Sequence, residues 1–371
     1  MKDIAVGVEP QDIGQLDQRS AAEAARHRRR GVLVGTLATA GIAIAVLTWA
    51  KWYPYAFKIP VVADSHSLGN SVLSGKASAP PSPSWTSTVE YSLAYMGSIW
   101  QALVAGLLVA AAVEAFLPAS RLLALFQARR GPAVSTVSGG LLSMSSMMCT
   151  CCAAPVALNI RRRGVPVSSA LAYWLGNPVL NPAALAFMAF VLPWQFVAVR
   201  VGTGVILVFG ITLLVGRLAG GTSVAEPEDE PADAGTAADA VGRFAKALVG
   251  LAVRLLPEYA VVVMLLGGFR GLLFPDAGTL ASWGVLAAVL LAVVGTLFVI
   301  PTAAEIPIIG ALMAAGVGMG PLGALVLTLP ALSLPSMLMV RAAFPGRVIV
   351  ATGLAVMGMG LVGALAMTAL T

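Results

Sequence analysis

The chain is predicted to be an all-α polytopic membrane protein. It would hold two inverted-topology repeats whose broken, re-entrant helical hairpins meet near the midplane, plus one N-terminal span. Three observations lead there. Hydrophobic residues make up 58% of the 371 and charged residues 11%, whereas a soluble domain carries roughly 25% charged residues. All three cysteines fall within Cys149-Thr150-Cys151-Cys152, in an apolar stretch close to Pro155. A shift of 152 residues places Pro155 on Pro307, Gly164 on Gly316, Val165 on Val317 and Pro178 on Pro330.

Composition also excludes classes. The net charge of +6 fits Lys and Arg on cytoplasmic loops rather than a nucleic-acid surface. The length has room for on the order of eight to ten apolar segments of about 20 residues. Three clustered cysteines form no even disulfide framework, so they are expected reduced or ligand-bound. The N-terminus is polar up to Arg26-His27-Arg28-Arg29-Arg30. The apolar run that follows is too long for a signal-peptide core.

Residues 1–30 read as a cytoplasmic tail, because the arginines directly precede the first span, 31–52. Trp52, Tyr53 and Tyr55 read as an outer aromatic belt. The Ser/Pro-rich stretch within 53–90 reads as a disordered extracytoplasmic loop. Repeat 1 is expected over 91–219. Its first span ends at Leu117-Pro118, followed by a basic amphipathic surface stretch to Arg130. The next apolar stretch, 134–160, carries the cysteines and is flanked by basic residues on both sides. A hairpin that enters and leaves on the cytoplasmic side removes the charge conflict of a full crossing; a distorted full span is the other reading. Asn177-Pro178-Val179-Leu180-Asn181-Pro182 then breaks the following span. Residues 220–243, rich in Asp and Glu among Pro, Ala and Gly, read as an acidic cytoplasmic linker.

Repeat 2 is expected over 244–371, its hairpin broken at Pro301-Thr302-Ala303-Ala304-Glu305-Ile306-Pro307. Under the 152-residue shift, Arg161, Arg162 and Arg163 fall on Met313, Ala314 and Ala315. The first hairpin would therefore open inward and the second outward, with the C-terminus extracytoplasmic.

Soft thiolates at a helix break point to a thiophilic metal or metalloid, held by Cys149, Cys151 and Cys152; small cysteines also simply pack well. A closed zinc site lacks His or carboxylate neighbours in sequence. Glu305 at membrane depth reads as a coupling or cation-binding carboxylate, or as a cap on the helix it starts. Arg200 reads as a charge partner or an anion-binding residue. Asn177 and Asn181 read as site-lining amides, or as side chains that satisfy backbone freed by the prolines. Glu114, Glu258, Arg254 and Arg270 lie near span ends and read as interfacial. Met144, Met147 and Met148 read as packing residues of an apolar segment, or as soft thioether ligands for Cu(I).

These motifs carry a resemblance. Cys149-x-Cys151-x-x-x-Pro155, Arg162-Arg163-Gly164 and Pro178-Val179-Leu180-Asn181-Pro182 resemble the predicted-permease family of ArsP-type organoarsenical exporters and YraQ-type permeases. Glu305-Ile306-Pro307, Gly316-Val317 and Ser333-Leu334-Pro335-Ser336 resemble the second copy. Two departures stand out: Cys152 is an additional thiol, and Ser333 stands where Asn is common.

The expectation is a secondary transporter of the inner membrane, working by alternating access and exporting a thiophilic species such as a trivalent organoarsenical. Its site would hold Cys149, Cys151, Cys152, Pro155, Asn177, Asn181, Glu305, Pro307 and Ser333. No Walker-type ATP loop occurs, no cofactor is expected, and the chain is read as a non-enzyme. Its partners would be the substrate and the bilayer, without nucleic acid; a homo-oligomer is compatible with the sequence. A rival reading is a permease for a small anion or sulfur compound, bound by Arg200 and the helix starts at the breaks. A second rival is a membrane thiol redox protein or sensor. Against it, the Cys149/Cys151 spacing is not Cys-x-x-Cys and no base lies nearby in sequence.

Overall fold

In lipid every backbone N–H and C=O must be satisfied within the protein, so a chain this apolar folds as helices. A computed structural model describes residues 10–73, 80–219 and 237–371. Among these residues there is no strand. Helix α1 (Pro10–Leu47) passes through a π-helical turn (Thr48–Trp52) into α2 (Tyr53–Ser65). The first half continues with α3 (Trp85–Phe116), α4 (Ala119–Leu125), α5 (Pro132–Ser146), α6 (Thr150–Arg162), α7 (Val167–Val179), α8 (Pro182–Val191), α9 (Trp194–Val205) and α10 (Thr212–Leu218). The second half holds α11 (Ala237–Gly268), α12 (Arg270–Leu273), α13 (Ala277–Trp283), α14 (Val285–Leu297), α15 (Glu305–Ala314), α16 (Met319–Ala331), α17 (Leu334–Val340) and α18 (Gly346–Leu370).

Seven segments of the described residues are long and apolar enough to cross a membrane: Arg29–Ser65, Trp85–Phe116, Val167–Val191, Trp194–Leu218, Asp239–Gly268, Met319–Val340 and Gly346–Leu370. That is fewer than length alone suggested, because the two broken stretches are made of shorter helices. The first span also runs past the expected Trp52. Pro54 has no N–H to offer Ala50, and the ladder steps to a wider turn in which Tyr53 N–H reaches Thr48 O. The helix then carries on to Ser65, so Tyr53 and Tyr55 lie within it. Of the expected acidic linker, residues 220–236 lie outside the described residues, as do 74–79 of the Ser/Pro loop.

The 152-residue repeat governs the helix boundaries. The shift carries α3 onto α11 and α7 onto α16 end for end, and the starts of α8 and α9 onto those of α17 and α18. The turn after each hairpin is the same motif. Gly164 N–H bonds Arg161 O and Val165 N–H bonds Ile160 O; Gly316 N–H bonds Met313 O and Val317 N–H bonds Leu312 O. Gly164 and Gly316 close these turns at φ +92° and +88°, the left-handed region that glycine enters without steric cost.

Paired helices of the two halves pack antiparallel. Along α3 and α11, Tyr91 lies at Gly267 and Phe116 stacks on Phe244. Along the α9–α10 arm and α18, Val199 lies at Gly363 and Arg347 bonds Ala219 O.

Side-chain register also defines the broken stretches. Ser169 bonds Ser135 O and Ser146 bonds Asn177, so α5 runs parallel to α7. Trp174 bonds Thr150 O, so α6 runs antiparallel to α7. The chain therefore reverses between α5 and α6. The same holds for α14 and α15: Gly295 lies at Thr328 and Ala292 clusters with Ala324, which makes α14 parallel to α16, while a tight turn joins α15 to α16.

Candidate functional site

The first hairpin tip is residues 147–149. Met147 adopts φ +49°, unusual for a side chain of its size, and Cys149 is extended as the residue before α6. Asn177 holds the tip: its Oδ1 accepts Ser146 Oγ at 2.5 Å and Met148 N–H at 3.2 Å, and its Nδ2 donates to Tyr173 O at 2.8 Å. Asn177 thus satisfies backbone and tip rather than presenting a free amide. The turn ends at Cys149, the first of the cysteines where the hairpin was expected to turn, and Pro155 sits inside α6.

The three thiols separate. Cys149 and Cys152, three positions apart on one helical face, bring their Sγ atoms to 2.9 Å. Cys151 points elsewhere, with its Sγ 3.3 Å from Ser333 Oγ. Close to it Tyr95 and Tyr259 share a hydroxyl–hydroxyl bond of 2.7 Å. Thr150 donates to Ser336, which is bonded to Ser333. All three cysteines are free and buried. The expected three-cysteine ligand set is therefore not assembled, and among the described residues no group of three His, Cys, Asp or Glu is placed to hold a metal ion. The pair that does form, Cys149-Thr150-Cys151-Cys152, is a Cys-x-x-Cys at a helix start, a spacing visible in the sequence and overlooked in favour of Cys149/Cys151. Gly106 on α3 makes room for it: a Cβ there would lie 2.4 Å from Cys152 O.

The second tip is residues 298–304, with Ala303 at φ +68°. Tyr91 donates to Val299 O at 2.8 Å, which satisfies a carbonyl freed by the break. Glu305 opens α15 and is 1% exposed, and Arg200, 0% exposed, forms an ion pair with it. The same guanidinium donates to Val179 O at 3.0 Å and Pro178 O at 2.7 Å. Arg200 thereby satisfies the end of α7 where the Asn-Pro break frees carbonyls, and holds the opposite hairpin by its carboxylate. Pro307 lies in the first turn of α15, where its missing N–H is harmless. Asn181 caps α8, its Oδ1 accepting Ala183 and Ala184 N–H. Asn181 Nδ2 and Glu305 Oε2 are buried with no hydrogen-bond partner among the described residues.

Between the tips lies a narrow cavity lined by Cys149, Thr150, Pro178, Ile300, Pro301, Thr302, Ala303, Glu305 and Pro330. Its walls are repeat mates: the 152-residue shift carries Cys149 to Pro301, Thr150 to Thr302 and Pro178 to Pro330. Asn177, Asn181, Pro155, Pro307 and Ser333 stand behind this lining.

Sequence reading missed Lys51. It sits on the π-helical turn and is 5% exposed. Its Nζ donates to Thr302 Oγ1 at 3.1 Å and Tyr55 Oη at 3.2 Å. The next residue, Trp52, bonds Ser145 O at 2.8 Å, beside the first tip. The N-terminal span, set apart from the repeats in sequence, thus touches both hairpins. A lysine in the middle of a long apolar helix was the available signal.

A family profile described as "Predicted permease" matches residues 85–368. The UPF0718 protein YraQ of Escherichia coli (strain K12) is 42% identical over 329 residues, covering 88% of this chain and 93% of its own length. No solved structure matches. With seven span-capable helices and two broken hairpins facing one cavity, and with that profile covering most of its length, the chain belongs to the predicted-permease family.

Proposed function

We propose that this permease is a secondary transporter of the inner membrane that exports a soft, thiophilic metal or metalloid species, such as a trivalent organoarsenical. The observation that supports the substrate class most directly is the Cys149–Cys152 pair, 2.9 Å apart and opening the half-helix whose first residues line the cavity. Two adjacent thiols chelate a soft centre far better than one, and soft ligands select soft ions. Cys151 tunes the site from behind through Ser333.

The packing supports alternating access. Two hairpins that reach one cavity from antiparallel half-structures can expose it to one side and then the other by rocking. The Arg200–Glu305 pair and the Lys51–Thr302 bond are the polar contacts that such rocking would break and remake. With no nucleotide loop in the sequence, an ion gradient would drive it, and Glu305, whose Oε2 is unpartnered at the cavity, is the carboxylate placed to carry the coupling proton or cation. The seven span-capable segments among the described residues and the arginines before Gly31 support a cytoplasmic N-terminus and an extracytoplasmic C-terminus.

The test is binding of phenylarsine oxide, Hg(II), Cu(I) and Zn(II) to the purified chain, followed by flux in proteoliposomes. Cys149→Ser and Cys152→Ser should each lose tight binding of the soft probes, and Cys151→Ser should keep it. Equal binding by wild type and a Cys149→Ser/Cys152→Ser variant would overturn the thiol reading.

A further inference from the structure

We propose that the cavity binds a small, soft monoanion and that Lys51 of the N-terminal span supplies the charge that selects it. The inference deepens the site described above and rests on its being the transport site, but its carrying observation is different.

That observation is a charge imbalance. Two cations and one carboxylate surround the cavity deep in the apolar core. Arg200 and Glu305 pair with each other. Each nitrogen of Arg200 is engaged, by Val179 O, Pro178 O and Glu305. Lys51 has no carboxylate partner among the described residues; its ammonium is held by two neutral hydroxyls, Thr302 and Tyr55, and lies over the Tyr55 ring. A buried ammonium without a counter-ion is costly, and a ligand of charge −1 removes that cost.

The backbone points the same way. Helix α6, 13 residues long, and α15, of 10 residues, both begin at the cavity. Helix N-termini carry partial positive charge. Thr302, which anchors the ammonium, is itself a wall of the cavity, and Thr150, its repeat mate, adds a second hydroxyl opposite. Cys149 lines the same cavity as Thr302, the anchor of Lys51. The unpartnered Glu305 Oε2 disfavours multiply charged anions and accepts a hydrogen bond from a protonated one.

The placement of Lys51 has a backbone origin. It rides on the π-helical turn that Pro54 imposes. A continuous α-helix would rotate it away from Thr302.

The experiment uses the full chain in lipid nanodiscs with gluconate as the only other anion. Calorimetry measures thiocyanate, a small soft monoanion, and phenylarsine oxide, an uncharged thiol reagent. Thiocyanate should bind the wild type, weaken about ten-fold or more in Lys51→Met, and stay within about three-fold in Lys51→Arg, the scale of one charge-assisted contact. Thr302→Val, which keeps the lysine but removes its anchor, should weaken it by a smaller factor and decides the matter if Lys51→Met does not fold. Cys149→Ser/Cys152→Ser should lose phenylarsine oxide. The proposal is overturned if the wild type binds no thiocyanate, or if neither Lys51→Met nor Thr302→Val weakens it. Loss of phenylarsine oxide binding from the wild type alone would instead sink the thiol reading and leave the anion site standing.

Discussion

Arg200 and Glu305 form a buried ion pair that joins the fourth span-capable segment, in the first half, to the tip of the second half's hairpin. Neither side chain is more than 1% exposed. Because Arg200 also closes the end of α7, the pair couples both breaks through a single guanidinium.

Removing one partner should therefore harm more than removing both. Arg200→Met or Glu305→Gln strands a charge or an amide in the core, at a cost of about 3–5 kcal/mol, whereas an Arg200→Met/Glu305→Leu double variant should recover part of it. Thermal unfolding of the detergent-purified proteins checks this; strictly additive losses would show that the pair is not coupled.

Mild oxidation should link Cys149 to Cys152 and leave Cys151 reduced, since only the first two thiols adjoin. Peptide mapping by mass spectrometry after diamide treatment reads the pairing. A Cys149–Cys151 or Cys151–Cys152 disulfide as the main product would contradict the side-chain placement.

Gly164→Ala and Gly316→Ala should destabilise by similar amounts, about 1–2 kcal/mol each, because both glycines hold a left-handed turn after a hairpin. Unequal effects, with one variant neutral, would mean that the two turns are not structural mates. Open space around Gly316 rules out a steric explanation there.

Gly106→Ala should act differently. Its Cβ would meet the Cys152 carbonyl rather than a movable side chain. Helix α3 must then shift off α6, at a cost of about 1–3 kcal/mol. Soft-probe binding should weaken along with stability; a variant as stable as wild type would show that the helices are not in such close contact.

A reporter fused after Thr371 should prove extracytoplasmic and one fused before Met1 cytoplasmic. Alkaline phosphatase is active only in the first position and a fluorescent protein that matures only in the cytoplasm only in the second. The reverse pattern would invert the proposed orientation.

How much was legible varied with the kind of signal. The Gly and Pro positions marked the repeat, because these residues act through backbone geometry that neighbours cannot override. Asn177 and Asn181 were visible as breaks, yet their side chains turned inward to satisfy freed N–H and C=O groups, which sequence could not rank against ligand binding. The cysteine cluster was visible as a cluster, but the division into Cys149/Cys152 and Cys151 depends on where α6 begins. Residues 147–149 set that start.

Sequence by itself determined the solvent, the helical class and the two-fold recurrence of broken segments, since bilayer burial leaves a chain this apolar few other solutions. Only the tertiary structure decided which polar groups meet. Arg200 and Glu305 are 105 positions apart and Lys51 and Thr302 are 251. Their contacts arise from how antiparallel half-structures and an N-terminal span pack, and no local pattern along the chain encodes a pairing over such separations.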